Sequence, residues 1–174
     1  VTIAAPFAPD LEQREALAAL AEDIDLARIA WRTGDGPPEP IADRREALLT
    51  LSGVAVMPPP AAFTQATAPS EAAIVEAVSE ALPDMEHAAD LYAGIGTLSF
   101  AAARKAKAVT AIDGADDAIR ALRMAADRAG LGNRVQTETR NLALRPLLTA
   151  ELAPYDAVLF DPPRAGAKEQ ATQL

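Results

Sequence analysis

An alternation of short apolar runs with helix-period segments constrains this chain more than any other feature. Ser70 reads as a helix N-cap, Ile74, Val75, Val78 and Leu82 fall at helical spacing, and Pro83 ends the segment. Ala88–Tyr92 is a short apolar strand, followed by a glycine-rich turn and a helix over about Leu98–Lys105. Ala108–Ile112 reads as a buried strand ending at Asp113. A helix over about Ala115–Ala129 comes next, with Ile119, Leu122 and Ala126 inward and Gly130 at its end. Val135–Thr139 and Tyr155–Phe160 complete the strands, the last running into Asp161-Pro162-Pro163. Strands that alternate with helices pair in parallel through right-handed crossovers. The expected fold is therefore α/β, with ligands at the carboxyl ends of the strands. Asp90–Thr97, Asp113, Asn141 and Asp161 all fall at those ends.

The first third differs. Gly34–Pro40 and Met57–Pro60 are breakers. Leu11–Ala21 has helical spacing, Leu26–Arg32 reads as a strand, and Leu48–Val56 as another with a bend or turn at Gly53. This composition predicts part of a smaller α+β region over 1–60 and a separate α/β region over 61–174.

Composition sets outer limits. Half of the 174 residues are hydrophobic, but about half of those are alanine, so large core side chains are fewer than that share suggests. With 16 Lys+Arg against 25 Asp+Glu, the net charge of −9 argues against a basic patch that grips phosphate backbones unaided. It leaves open a nucleic-acid enzyme whose binding surface lies elsewhere. No run approaches the roughly 18 apolar residues of a membrane span, and no signal-peptide pattern follows Val1. A cytoplasmic protein without a membrane segment is expected. No cysteine is present, which excludes disulfides, cysteine-ligated metal and a thiol nucleophile within these residues; no metal site is expected.

Three places carry chemistry. In Asp90-Leu91-Tyr92-Ala93-Gly94-Ile95-Gly96-Thr97, Gly94 and Gly96 permit a tight strand-to-helix turn that a ligand can approach. Ser99 breaks the full G-x-G-x-x-G dinucleotide fingerprint. Asp113 ends the next strand, where a carboxylate can accept both hydroxyls of a ribose. The glycine turn and this acid together suit an adenosine-containing ligand. Taken singly, the turn, Asp113 as a helix N-terminal acid, and Asn141 as a turn residue all have purely structural readings. Asp161-Pro162-Pro163-Arg164 makes a rigid loop over the same sheet edge. Methyltransferases acting on planar bases commonly have such a loop, and dehydrogenases do not need it.

These motifs make the chain resemble the S-adenosylmethionine-dependent RNA (uracil-C5) methyltransferases of ribosomal and transfer RNA. The likeness rests on Phe63-Thr64-Gln65-Ala66, Asp90–Thr97, Asp113, Arg140-Asn141-Leu142 and Asp161-Pro162-Pro163-Arg164-Ala165-Gly166, and covers about residues 48–174. It implies a Rossmann-like class I methyltransferase sheet truncated after about four strands, preceded by the end of a central α+β region. By the resemblance, Gln65, Tyr92, Gly94, Gly96, Thr97, Asp113, Asn141 and Asp161 bind S-adenosylmethionine. RNA, ribosomal rather than transfer, is the implied substrate, contacted mainly by other parts of the protein. A cysteine nucleophile and a glutamate base are expected beyond Leu174, so this piece should hold the cofactor pocket without catalysis. Ala93 stands where the family often has Cys, and Asn141 where many methyltransferases have Asp. Arg164 stands where amino-group methyltransferases usually place an aromatic residue to stack on the base. Two alternatives stay open: a methyltransferase acting on an amino group of guanine or adenine, and a non-catalytic cofactor-binding module.

Overall fold

The computed structural model describes residues 1–64 and 67–174. The chain divides into two compact units, Val1–Leu49 with Met57–Ala62, and Thr50–Val56 with Phe63–Leu174.

The first unit contains β1 (Thr2–Ala5), α1 (Leu11–Asp23), β2 (Arg28–Thr33) and β3 (Glu39–Asp43). β2 is central, parallel to β1 and antiparallel to β3. Asp10 starts α1 with a capping box, its carboxylate accepting from Gln13 N at 2.8 Å while Gln13 Oε1 accepts from Asp10 N. Trp31 on β2 is buried and its Nε1 donates to Phe7 O at 2.9 Å. The sequence reading missed both edge strands. β1 is four residues long, and β3 begins inside the breaker and contains Pro40. Proline is tolerated there because an edge strand leaves one row of N–H groups unpaired.

The second unit opens with β4 (Leu49–Leu51, its first residue counted with the first unit) and β5 (Val54–Val56), paired in a two-stranded sheet. The single strand expected over Leu48–Val56 is thus two, because Ser52 (φ 48°) and Gly53 (φ 87°) both adopt the left-handed conformation of a tight hairpin. Next come α2 (Ala68–Ala81), β6 (Met85–Leu91), α3 (Thr97–Ala102), β7 (Ala106–Asp113), α4 (Asp116–Arg128), β8 (Val135–Thr139), α5 (Thr149–Leu152), β9 (Ala157–Phe160) and α6 (Lys168–Ala171). The cap of α2 is Thr67 rather than Ser70: Thr67 Oγ1 accepts from Ser70 N at 3.2 Å, and Pro69 occupies the first turn, where its missing N–H costs nothing. No residue of α2 is buried and Ile74 is exposed, so its apolar spacing marks a helix but not a core face.

β6, β7, β8 and β9 form one parallel sheet in the order β8-β7-β6-β9. The chain runs outward from β6 to β8, then returns to place β9 on the other side of β6. That reversal makes a switch point between β6 and β9, where open parallel sheets bind ligands. Residues 88–91 of β6 are all buried, as expected for a strand covered on both faces. Ile119, Leu122 and Ala126 are buried on α4, as their spacing predicts. A cluster of Ala89, Leu91, Ile112, Leu142, Leu147 and Leu152 fills part of the core. Ala88, Ala101, Ala111 and Ala126 are wholly buried, so the alanine content serves close packing. Among the described residues no helix is long and apolar enough to cross a membrane.

Candidate functional site

Register places the site. Leu91 pairs with both Ile112 and Phe160, and Asp113 pairs with Thr139. Tyr92, Asp113, Arg140 and Asp161 therefore stand at or just beyond the end of the ladder, on one edge of the sheet. Seven of the eight residues singled out from sequence lie there: Tyr92, Gly94, Gly96, Thr97, Asp113, Asn141 and Asp161. Gln65 lies outside the described residues.

The turn after β6 is unusual backbone. Tyr92 (φ 66°), Gly94 (φ 55°) and Gly96 (φ 99°) all have positive φ. A left-handed tyrosine costs about 1–2 kcal/mol. Its amide and that of Ala93 both donate to Ile112 O, at 2.9 and 3.1 Å, which holds the conformation. The two glycines serve different ends. A Cβ on Gly96 would lie 2.8 Å from Leu122 Cγ and 2.9 Å from Phe100 Cε2, so packing demands glycine there. A Cβ on Gly94 would meet nothing within 4 Å, so that backbone borders open space. Thr97 is the first residue of α3.

Asp113 ties the turn to α4. Its Oδ2 accepts from Gly94 N at 2.9 Å and its Oδ1 from Ala115 N at 2.8 Å. Each oxygen keeps a further lone pair for a ligand hydroxyl. Asn141 Oδ1 accepts from Ala143 N and Leu144 N at 3.1 and 3.2 Å. That is an Asx turn, which leaves the carboxamide N–H groups as the side chain's donors. Asp161 is exposed after β9.

Ser99, which breaks the glycine fingerprint, is fully buried, and its Oγ donates to Asp90 Oδ2 at 2.5 Å. Burial pushes the Asp90 carboxyl up to about 7, helped by the neighbouring charges of Asp161 and Asp113, while the Ser99 hydrogen bond opposes the rise. The Tyr92 ring meets Phe160 edge-on at 5.9 Å, and its buried hydroxyl has no hydrogen-bond partner among the described residues. Burial raises the Tyr92 phenol, with the Glu169 and Asp113 carboxylates adding to it. An orphaned buried hydroxyl beside an open glycine backbone and a ribose-competent carboxylate is a polar cradle that a nucleoside ligand would complete.

Two anchors of this edge were not visible in the sequence. Arg140, noted only as part of a block, has a side chain just 10% exposed. It binds both Glu151 oxygens at 2.7 and 2.9 Å, and donates to Arg145 O and Pro146 O, each at 2.7 Å. Gln170 on α6, which the sequence reading did not single out, is fully buried. The separate cleft of about 790 Å³ lined by Ser52, Glu71, Val75, Glu76, Arg104 and Lys105 lies before β7, at its amino end, and holds none of the predicted residues.

The parallel β8-β7-β6-β9 order, the glycine turn after β6 and the acid after β7 define a Rossmann-like α/β sheet. The solved structure of Pyrococcus abyssi tRNA (uracil-54, C5)-methyltransferase in complex with S-adenosyl-L-homocysteine matches with a TM-score of 0.67 at 20% identity, over 99% of this chain and 42% of that one. The chain belongs to the family described as Conserved hypothetical protein 95, whose model matches residues 61–174. An uncharacterized RNA methyltransferase of Zymomonas mobilis is 42% identical over 171 residues, covering 97% of this chain and 42% of that protein. A 23S rRNA (uracil(1939)-C(5))-methyltransferase of Tolumonas auensis is 30% identical over 164 residues, covering 92% of this chain and 37% of that protein. The chain thus spans about two fifths of the length of these relatives.

Proposed function

We propose that this chain is the cofactor-binding part of an S-adenosylmethionine-dependent RNA methyltransferase acting on carbon 5 of a uridine, in ribosomal rather than transfer RNA. The observation that carries it is the placing of the open Gly94 backbone, the Asp113 carboxylate and the Asn141 turn along one carboxyl edge of the parallel sheet. The names of the Zymomonas mobilis and Tolumonas auensis relatives support RNA methylation, and the latter supports uracil carbon 5 in ribosomal RNA. Arg164 after the two prolines, in place of a stacking aromatic, accords with a pyrimidine-carbon rather than an amino-group target.

When bound, the cofactor supplies a methyl group on a sulfonium sulfur. The chain's own residues then have definite tasks. Asp113 accepts the ribose hydroxyls with its spare lone pairs. Asn141 offers its N–H groups to the adenine edge. Gly94, without a Cβ, lets the methionine end lie against the backbone, and Tyr92 Oη gains a partner. Asp161 presents its carboxylate where cofactor and base meet. With no cysteine in these residues, the thiol that would add to uracil carbon 6 belongs elsewhere in the protein.

Calorimetry of the purified chain with S-adenosylmethionine and S-adenosylhomocysteine tests the cofactor reading. Saturable binding that Asp113→Ala abolishes is expected; no binding by a chain shown to be folded overturns it. Mass spectrometry of RNA incubated with the whole protein tests the target, with 5-methyluridine as the expected product.

A further inference from the structure

The carboxamide of Gln170 is withdrawn from solvent and spent on one residue. Its Oε1 accepts from Leu147 N at 2.8 Å and its Nε2 donates to Leu147 O at 3.1 Å. This pair imitates a rung of a sheet, with a side chain in place of a strand. Gln173 adds to it, accepting from Thr149 N at 3.3 Å, while Thr149 Oγ1 donates to Gln173 O at 3.1 Å. α6 has four residues, far too few to hold itself as a helix. It stays in place through these side-chain grips and buried Ala167.

What α6 holds on to is itself fixed. Arg140, at the end of β8, donates to the carbonyls of Arg145 and Pro146, directly before Leu147. Leu147 also lies in one cluster with Leu142 and Leu152. Between the end of β9 and the start of α6, by contrast, Asp161 and Pro163–Gly166 are exposed. Among the described residues the internal hydrogen bond of this loop is Gly166 N to Pro163 O at 2.8 Å. Its position is therefore set from its two ends, the β9 ladder and the Gln170 grip.

We propose that Gln170 is a positioning residue: its clasp on Leu147 latches the Asp161 loop to the turn after β8, so that the two halves of the site keep one spacing. The functional consequence rests on the cofactor reading above; the latch itself does not. Asp161 and Asn141 approach opposite parts of an extended nucleoside ligand, so freeing one loop from the other weakens its capture.

Two variants test this. Gln170→Met keeps the volume and removes both hydrogen bonds. Gln170→Glu reproduces both when protonated, one oxygen accepting from Leu147 N and its O–H donating to Leu147 O; ionised, it turns two acceptors on that carbonyl. The charged groups on the elements that meet there are Lys168 and Glu169 of α6, Glu138 of β8, Arg140 and Arg145 in the turn after it, and Glu151 of α5. Wild type carries all six, so it is the reference at each pH. The readouts are trypsin cleavage after exposed Arg164, followed by fragment mass well below the melting temperature, and calorimetric affinity for S-adenosylmethionine.

In Gln170→Met, cleavage after Arg164 should accelerate roughly tenfold or more and affinity fall by a similar factor, the scale of one to two net hydrogen bonds. Gln170→Glu should match wild type at pH 5.5 and the Met variant at pH 8.5. Cleavage ratios near one for folded variants at both pH values overturn the latch; faster cleavage with unchanged affinity overturns its positioning role in cofactor capture. If Gln170→Met does not fold, the pH pair of Gln170→Glu decides alone. If wild type takes up no cofactor, the functional reading fails while the cleavage ratio still decides the latch.

Discussion

Ser99 Oγ lies 2.5 Å from Asp90 Oδ2, and both side chains are closed off from solvent in the strand-to-helix unit that opens the site. The Asp90 carboxyl is raised to about 7, against an unfolded value of 3.8. Between those values the folded chain holds a proton that the unfolded chain has lost. Stability therefore falls as pH rises from about 4 to 7 and levels off above, by at most a few kcal/mol on this account. Asp90→Asn, which still accepts from Ser99, should remove that slope and be stabilised relative to wild type more at pH 8 than at pH 5. Chemical denaturation at the two pH values measures it.

Gly94 and Gly96 sit two residues apart yet should fail differently. Gly96→Ala places a Cβ against Leu122 and Phe100 at positive φ and should cost about 2–4 kcal/mol, from overpacking and backbone strain together. Gly94→Ala has room and should cost about 1 kcal/mol, while weakening cofactor binding because its methyl enters the open side of the turn. Thermal melts paired with calorimetry separate the two.

Arg140→Met should destabilise the second unit by about 2–4 kcal/mol, because a nearly buried side chain serves two backbone carbonyls and Glu151 at once. Glu151 is held down to about 2, first by its hydrogen bonds to Arg140. Its contribution is thus present above the ordinary carboxylate range and lost only as pH falls toward 2. Urea melts of Arg140→Met at pH 7 and of wild type at falling pH check both points.

Asn141→Asp should leave the fold intact, since an aspartate accepts equally well from Ala143 N and Leu144 N. It deletes the carboxamide donors, so any loss in cofactor affinity measures their use on the adenine edge. A drop of roughly tenfold, one hydrogen bond's scale, is expected by calorimetry. Unchanged affinity would limit Asn141 to its turn.

The sheet was legible in the sequence because its signals are local and repeat: buried strands, inward residues of α4, and polar residues at each strand end. So was the gathering of the singled-out residues of the described part at one sheet edge, since parallel register carries every strand end there. What was not legible depends on partners far along the chain. Pro40 looked like a breaker because only its edge position makes it tolerable. The spacing of Ile74, Val75 and Val78 marked a helix correctly but could not say that none of its residues is fully buried. Gln170 finds Leu147 across 23 residues, and no local pattern announces such a clasp.

The single tryptophan, Trp31, is buried in the first unit with its indole N–H on Phe7, while both tyrosines, Tyr92 and Tyr155, lie in the second. Nature has thus given each half of the chain its own chromophore. Tryptophan emission excited at the red edge follows the first half alone, and tyrosine absorbance follows the half that carries the strand ends. A titration or melt recorded on both at once separates events in the two halves without any added label.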